Sequence, residues 1–95
     1  MIIAVDYDNT LMIDKRANIA LIRRLKVLQS QGNIIILWTC RNGYRLAEAV
    51  RAMARYGLKF NYINCNTPDT VKRLGYDPRK VLADIYIDDK ASNIL

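Results

Sequence analysis

The hydrophobic positions of this chain fall into short continuous runs separated by stretches with helical spacing. Ile2 to Val5 is wholly apolar, rich in β-branched residues, and ends at Asp6. A run without polar alternation predicts a strand covered on both faces, as in a parallel sheet. From Asn18 to about Gln31 the period changes: Leu21, Ile22, Leu25 and Leu28 share one helical face. Asn18 supplies an N-cap and Gly32 a stop. Ile34 to Trp38 is a second buried strand and leads into Thr39-Cys40-Arg41. Gly43 to Tyr56 reads as a second helix, Ala-rich, with Leu46, Val50 and Met53 inward and Gly57 ending it. Phe60 to Cys65 is a weaker third strand. Thr67-Pro68-Asp69 opens a short helix with a cap followed by proline. Ile85 to Ile87 is the last strand and runs into Asp88-Asp89.

The order β-α-β-α-β-α-β predicts an α/β fold. A single domain over residues 1–95 would form a three-layer, Rossmann-like sheet of about four parallel strands, with helices on both faces. Ligands of such sheets bind beyond the carboxyl ends of the strands. Asp6 and Asp8, Thr39, and Asp88 and Asp89 all follow the last apolar residues of their strands. Three separate segments are therefore expected to deliver polar groups to one edge.

Composition narrows the chemistry at that edge. With 95 residues, the chain buries a modest fraction of its surface, so long loops or a second lobe are not expected. Asp6 and Asp8 interrupt the first apolar run too early for a signal sequence or membrane span, which predicts a cytoplasmic protein with no membrane role. There is no histidine. That removes Ser-His-Asp and Cys-His catalysis and most zinc sites. Cys40 and Cys65 lack metal-ligand spacing and read as reduced, structural thiols. Acid–base work falls to carboxylates, Lys, Tyr or bound water.

The net charge of +6 conceals an asymmetry. Five of the nine acids (Asp6, Asp8, Asp84, Asp88 and Asp89) lie near the chain ends, against fifteen Lys and Arg spread through the rest. An acidic focus on a basic background suits an anionic substrate held through a divalent cation. It also suits weak nucleic-acid binding, although the six tyrosines form no basic-aromatic recognition pattern. One aspartate at a strand end is ordinarily a cap or a solvated charge. Four converging carboxylates repel one another unless a cation intervenes. Oxygen donors without His or Cys select a hard ion, and open coordination beside a phosphate favours Mg²⁺.

These segments resemble a known family. Asp6-Tyr7-Asp8-Asn9-Thr10 after an apolar strand resembles the first motif of the haloacid dehalogenase (HAD) superfamily, Asp-x-Asp-x-Thr. Ile34 to Thr39 resembles the second, an apolar strand ending in Thr or Ser. Ala83-Asp84-Ile85-Tyr86-Ile87-Asp88-Asp89-Lys90 resembles the fourth, a strand ending in paired Asp. The resemblance implies a Mg²⁺-dependent phosphatase. Asp6 would be the nucleophile that carries an aspartyl-phosphate, and Asp8 the general acid and base. Thr39, with backbone N–H groups of the Cys40-Arg41 turn, would hold phosphate oxygens. Asp6, Asp8 through its carbonyl, Asp88 and Asp89 would bind the metal.

The family's third motif is a lysine. Lys80, eight residues before Asp88, resembles the Lys-Pro pair of small relatives, although Val81 stands where they have proline. Lys72 on the short helix is the other candidate. Arg41 and Arg45 can add phosphate contacts or simply face solvent. Trp38, inside an apolar run, is expected in the core, and Asp84 is expected to be structural. Neither gap between motifs holds a cap domain. An uncapped site suits a large phosphorylated substrate such as a phosphoprotein, nucleic-acid end or glycan, or closure by a second subunit, so a homodimer is an expectation. The alternatives to hydrolysis are a binding or regulatory module with little turnover, and a receiver-like phosphoacceptor.

Overall fold

A computed structural model describes residues 1–89. Lys90, which ends the fourth motif segment, lies outside the described residues. In chain order the elements are β1 (Ile2–Val5), β2 (Met12–Ile13), β3 (Arg16–Ala17), α1 (Ile19–Ser30), β4 (Ile34–Leu37), α2 (Gly43–Ala54), β5 (Tyr62–Ile63), α3 (Pro68–Leu74) and β6 (Ile85–Ile87). The four apolar runs form one parallel sheet in the order β5-β4-β1-β6. β1 is therefore interior, with β4 on one side and β6 on the other.

Alternation along β1 divides the core in two. Ile3 and Val5 join Ile35, Leu37 and Ile87 beneath Leu21, Ile22, Leu25 and Leu28 of α1 and Ala49 and Met53 of α2. Burying each such side chain contributes about 1.5–3 kcal/mol, so this face carries most of the stability. Ala4 and Ile36 point the other way, against Val81, with Tyr62, Ala83 and Tyr86 packed around them. This second layer is thinner. Its helix, α3, borders Ile2 and Ile34 at the amino ends of the strands through Thr70 and Arg73.

The helix ends follow from their sequences. The Asn18 side chain accepts from the Leu21 N–H at 3.3 Å, and Gly32 turns the chain with φ near 93°. Thr67 accepts from the Thr70 N–H at 3.2 Å, with Pro68 in the first turn. The third strand is shorter than the expected Phe60 to Cys65, because only Tyr62 and Ile63 find ladder partners on β4. The β2–β3 hairpin has no counterpart in the hydrophobic pattern. Its two turn residues, Asp14 and Lys15, both have positive φ (49° and 64°). Tight hairpins favour that geometry, but Asn-Gly or Asp-Gly usually signals it. Asp84 is structural: its carboxylate accepts from the Ile2 N–H at 2.7 Å, at the amino edge of the sheet. Among the described residues no helix is long and apolar enough to cross a membrane.

Candidate active site

The strand register builds the site. Val5 pairs with Leu37 on one side and with Ile87 on the other. One residue further on, the Asp6 N–H donates to the Ile87 carbonyl and the Trp38 N–H to the Val5 carbonyl, both at 2.9 Å. Asp6 is thus flanked by Trp38 and Asp88 at the carboxyl edge. Period-two alternation gives these three positions the same face as Ala4, Ile36 and Tyr86. A cavity of about 240 Å³ opens there, lined by Asp6, Trp38, Thr39 and Cys40.

Two aspartates of the first segment have opposite electrostatics. Partial burial pushes the Asp6 carboxyl above the usual carboxylate range. The Tyr7 N–H, donating to Oδ1 at 2.7 Å, works against that shift, while the charges of Asp8, Asp88 and Asp89 add to it. Asp8 is held below the usual range, chiefly by the Arg41 guanidinium. Arg41 binds it in a two-pronged fashion, Nε to Oδ2 at 2.9 Å and Nη2 to Oδ1 at 2.8 Å. The same guanidinium lies 4.7 Å from the centre of the buried Tyr7 ring and donates to the Arg45 carbonyl at 3.2 Å. Arg41, expected as a phosphate ligand, is therefore seated on Asp8. A proton donor needs a raised pKa, so Asp8 can serve as general acid only after Arg41 moves away.

The Thr39-Cys40-Arg41 turn is held from within. The Thr39 N–H donates to the Asn64 side chain at 2.8 Å, and the Arg41 N–H to the Thr39 hydroxyl at 3.2 Å. One N–H group of the expected oxyanion cradle, that of Arg41, is thus already used, as is the neighbouring Thr39 N–H. Asn64 reaches this role from a left-handed conformation, φ 52°, just past β5. The lysines separate by place. Lys72 lies on α3, whose Thr70 and Arg73 border Ile2 at the amino edge, away from Asp6. The Lys80 ammonium sits 6.0 Å from the Tyr86 ring, whose centre is 5.6 Å from that of Trp38. Lys80 is on the cavity side of the sheet, although it does not line the cavity. Its loop is held by the buried Asn66, whose amide donates to Asp77 at 2.8 Å and to the Lys80 carbonyl at 3.1 Å, and accepts from the Leu82 N–H at 2.6 Å.

Three of these residues carry little sequence signal. Trp38 was expected in the core, yet it is 39% exposed. The strand ends at Leu37, and the indole emerges at the edge rather than under a helix. Asn64 and Asn66 lie in a loop where single asparagines signify nothing by themselves. Their polar neighbours in Asn64-Cys65-Asn66-Thr67 were the available hint. Cys40 and Cys65 are free thiols.

The donor chemistry suits a hard cation. Oxygen donors from Asp6, Asp8, Asp88 and Asp89 gather at this edge, and after partial burial the charges of Asp8, Asp88 and Asp89 add to the raised Asp6 pKa. Among the described residues no three acidic, Cys or His side chains are already gathered around one point. Mg²⁺ commonly takes only one or two carboxylates and keeps several waters, so Asp6 and Asp88 suffice as a starting set.

No protein-family model matches the sequence, and no curated protein matches it. A solved structure of a conserved protein from Bacteroides thetaiotaomicron does, at 35% identity and a TM-score of 0.77. The match covers 97% of this chain and 78% of that one. The chain belongs to that protein's family.

Proposed function

We propose that this protein is a Mg²⁺-dependent phosphomonoester hydrolase of the HAD type, working through an aspartyl-phosphate on Asp6. One observation carries the reading: a partly buried carboxylate at the end of the central strand borders a cavity and is surrounded by three further carboxylates. Asp6 Oδ1 is engaged by the Tyr7 N–H, which leaves Oδ2 as the attacking oxygen. Oδ2 forms a bond to phosphorus as the bond to the ester oxygen breaks, and that oxygen takes a proton from Asp8, which Arg41 has released and which has been protonated from solvent. Water then attacks the acyl-phosphate, giving its proton to Asp8 and releasing inorganic phosphate. Thr39 and the Cys40 N–H orient phosphate oxygens, and Lys80 contributes positive charge from the side. Mg²⁺, held by Asp6 and Asp88 with Asp89 and the Asp8 carbonyl as further donors, would offset the repulsion between carboxylate and phosphate. No additional lobe stands over the cavity among the described residues, which supports a large phosphorylated substrate or closure by a second copy. A cytoplasmic location fits reduced Cys40 and Cys65.

Release of phosphate from an aryl phosphate should require Mg²⁺, stop with EDTA, and fall at least about a thousandfold in Asp6→Asn, the scale expected when a nucleophile is removed. Full activity in Asp6→Asn would sink the proposal. The Arg41–Asp8 pair supports a second reading, a binding or regulatory module with little turnover. That reading requires ligand binding to persist in Asp6→Asn while the wild-type protein turns over nothing across a substrate panel.

A further inference from the structure

The hydrolase reading assigns no role to the aromatic wall of the cavity. Trp38 borders Asp6 and is substantially exposed. Its indole leans on Tyr86 at 5.6 Å between centres and 55° between planes. Tyr86 cannot turn away: its hydroxyl donates to the Val81 carbonyl at 2.7 Å and accepts from the Ala83 N–H at 3.0 Å. The Lys80 ammonium approaches the same ring at 6.0 Å, within cation–π range. Lys80 is in turn fixed through its own carbonyl by Asn66. Single exposed aromatics are ordinary on a protein surface, but this indole is braced on a hydrogen-bonded phenol. It is also adjacent to the carboxylate that would meet a phosphate. Preorganised aromatic surface beside an anion site is the arrangement that takes a planar ring attached to a phosphate.

We propose that Trp38, braced by Tyr86, is a stacking platform for the base of a nucleoside monophosphate whose phosphate is presented to Asp6. The site thereby prefers nucleotides over sugar phosphates. The cavity's volume of about 240 Å³ falls below the roughly 300–1,000 Å³ usual for whole small-molecule ligands. It accommodates a ring and part of a phosphate while the sugar lies outside. Lys80, whose ammonium approaches the Tyr86 ring, meets anionic charge that lies beside the platform. This inference names the substrate class of the proposed hydrolase and rests on that reading for the position of the phosphate, whereas the platform itself can be tested without turnover.

Trp38 is the sole tryptophan, so its emission reports directly on the site. Asp6→Asn protein with Mg²⁺ is titrated with AMP and with ribose 5-phosphate, two ligands that differ only in the base. AMP should quench Trp38 emission and bind roughly tenfold or more tighter, the scale of one base stacked on an aromatic ring. By calorimetry, Trp38→Leu should erase the difference between the two ligands, and Trp38→Phe should keep most of it. Equal affinities, AMP binding without a change in emission, or a preference that survives Trp38→Leu would each overturn the platform. A preference for AMP in Asp6→Asn, with no hydrolysis of AMP or ribose 5-phosphate by the wild-type protein with Mg²⁺, supports the platform and removes the hydrolase reading. Equal hydrolysis of both esters with equal affinities does the reverse. A 5′-phosphorylated oligoadenylate tested beside AMP identifies the source: tighter binding by the oligomer supports a chain terminus, tighter binding by AMP a free nucleotide.

Discussion

The two oxygens of Asp6 are not equivalent, and the difference governs what the residue does with pH. Oδ1 accepts from the Tyr7 N–H, while burial and three acidic neighbours raise the carboxyl's pKa. A raised folded-state value means that the folded protein holds this proton more tightly than the unfolded chain does. The associated stability is present at low pH and is lost as pH rises through the folded value. Asp6→Asn keeps the oxygen acceptor and removes the charge, so thermal melts without added metal should show the variant more stable than wild type at pH 7. The gain should vanish below about pH 4, where the unfolded carboxyl is also protonated. A destabilised variant at pH 7 would contradict this account. Asp8 has the opposite sign, its pKa lowered by Arg41, so the pair stabilises above the unfolded carboxylate value and is lost as pH falls through the folded one. Because Asp8 is half exposed, Arg41→Gln should cost at most about 1 kcal/mol in urea unfolding. The same variant should return the Asp8 pKa upward in a carboxyl NMR titration. Thr10 offers a cleaner stability test. Its hydroxyl is buried with no hydrogen-bond partner among the described residues, so Thr10→Val should stabilise by about 1 kcal/mol. The positions of Asp6, Thr39 and Asp88 were legible in the sequence because each follows an apolar run whose end fixes its place. The Arg41–Asp8 pair was not, since it joins side chains 33 residues apart and depends on rotamers that no local pattern encodes.

At the scale of elements, what could be read was whatever has a hydrophobic period. α1 and α2 were placed to within about two residues because their apolar faces and terminal glycines agree with their caps. The β2–β3 hairpin was missed because two-residue strands have too few positions to show alternation. Its turn also uses Asp14-Lys15, in which Lys15 occupies a conformation that glycine adopts without strain. Replacing the pair by Asn-Gly should therefore stabilise the protein by up to about 1 kcal/mol, read as a raised urea midpoint at unchanged slope. The loop from β5 to β6 depends on Asn66 in a way no periodicity reveals. Its side chain satisfies groups on Asp77, Pro78, Lys80 and Leu82. Asn66→Ala leaves several of them unpaired and should cost roughly 2–3 kcal/mol. If Asn66 also positions Lys80, the variant should weaken phosphate binding under conditions where it remains folded.

For the molecule as a whole, the sheet order β5-β4-β1-β6 explains why carboxylates from the two ends of the sequence share one edge. Charge counting had found the acidic focus, and the register supplied its geometry. Order also sets how far the chain must reach for each pairing. The central strand meets β4 about 30 residues away, whereas pairing with β6 requires Ile3 to meet Ile85. Loop closure over so long a span is slow relative to local pairing. Until β6 arrives, β1 is an open edge: its unpaired backbone groups can recruit a strand from another molecule, and Asp6 lacks the Ile87 carbonyl that anchors its N–H. Completion of the carboxyl edge and protection from aggregation are thus acquired in the same step. A nascent chain that has emerged only as far as β5 would hold every residue of the cavity wall and still lack the completed edge, with a sticky flank for a chaperone to cover.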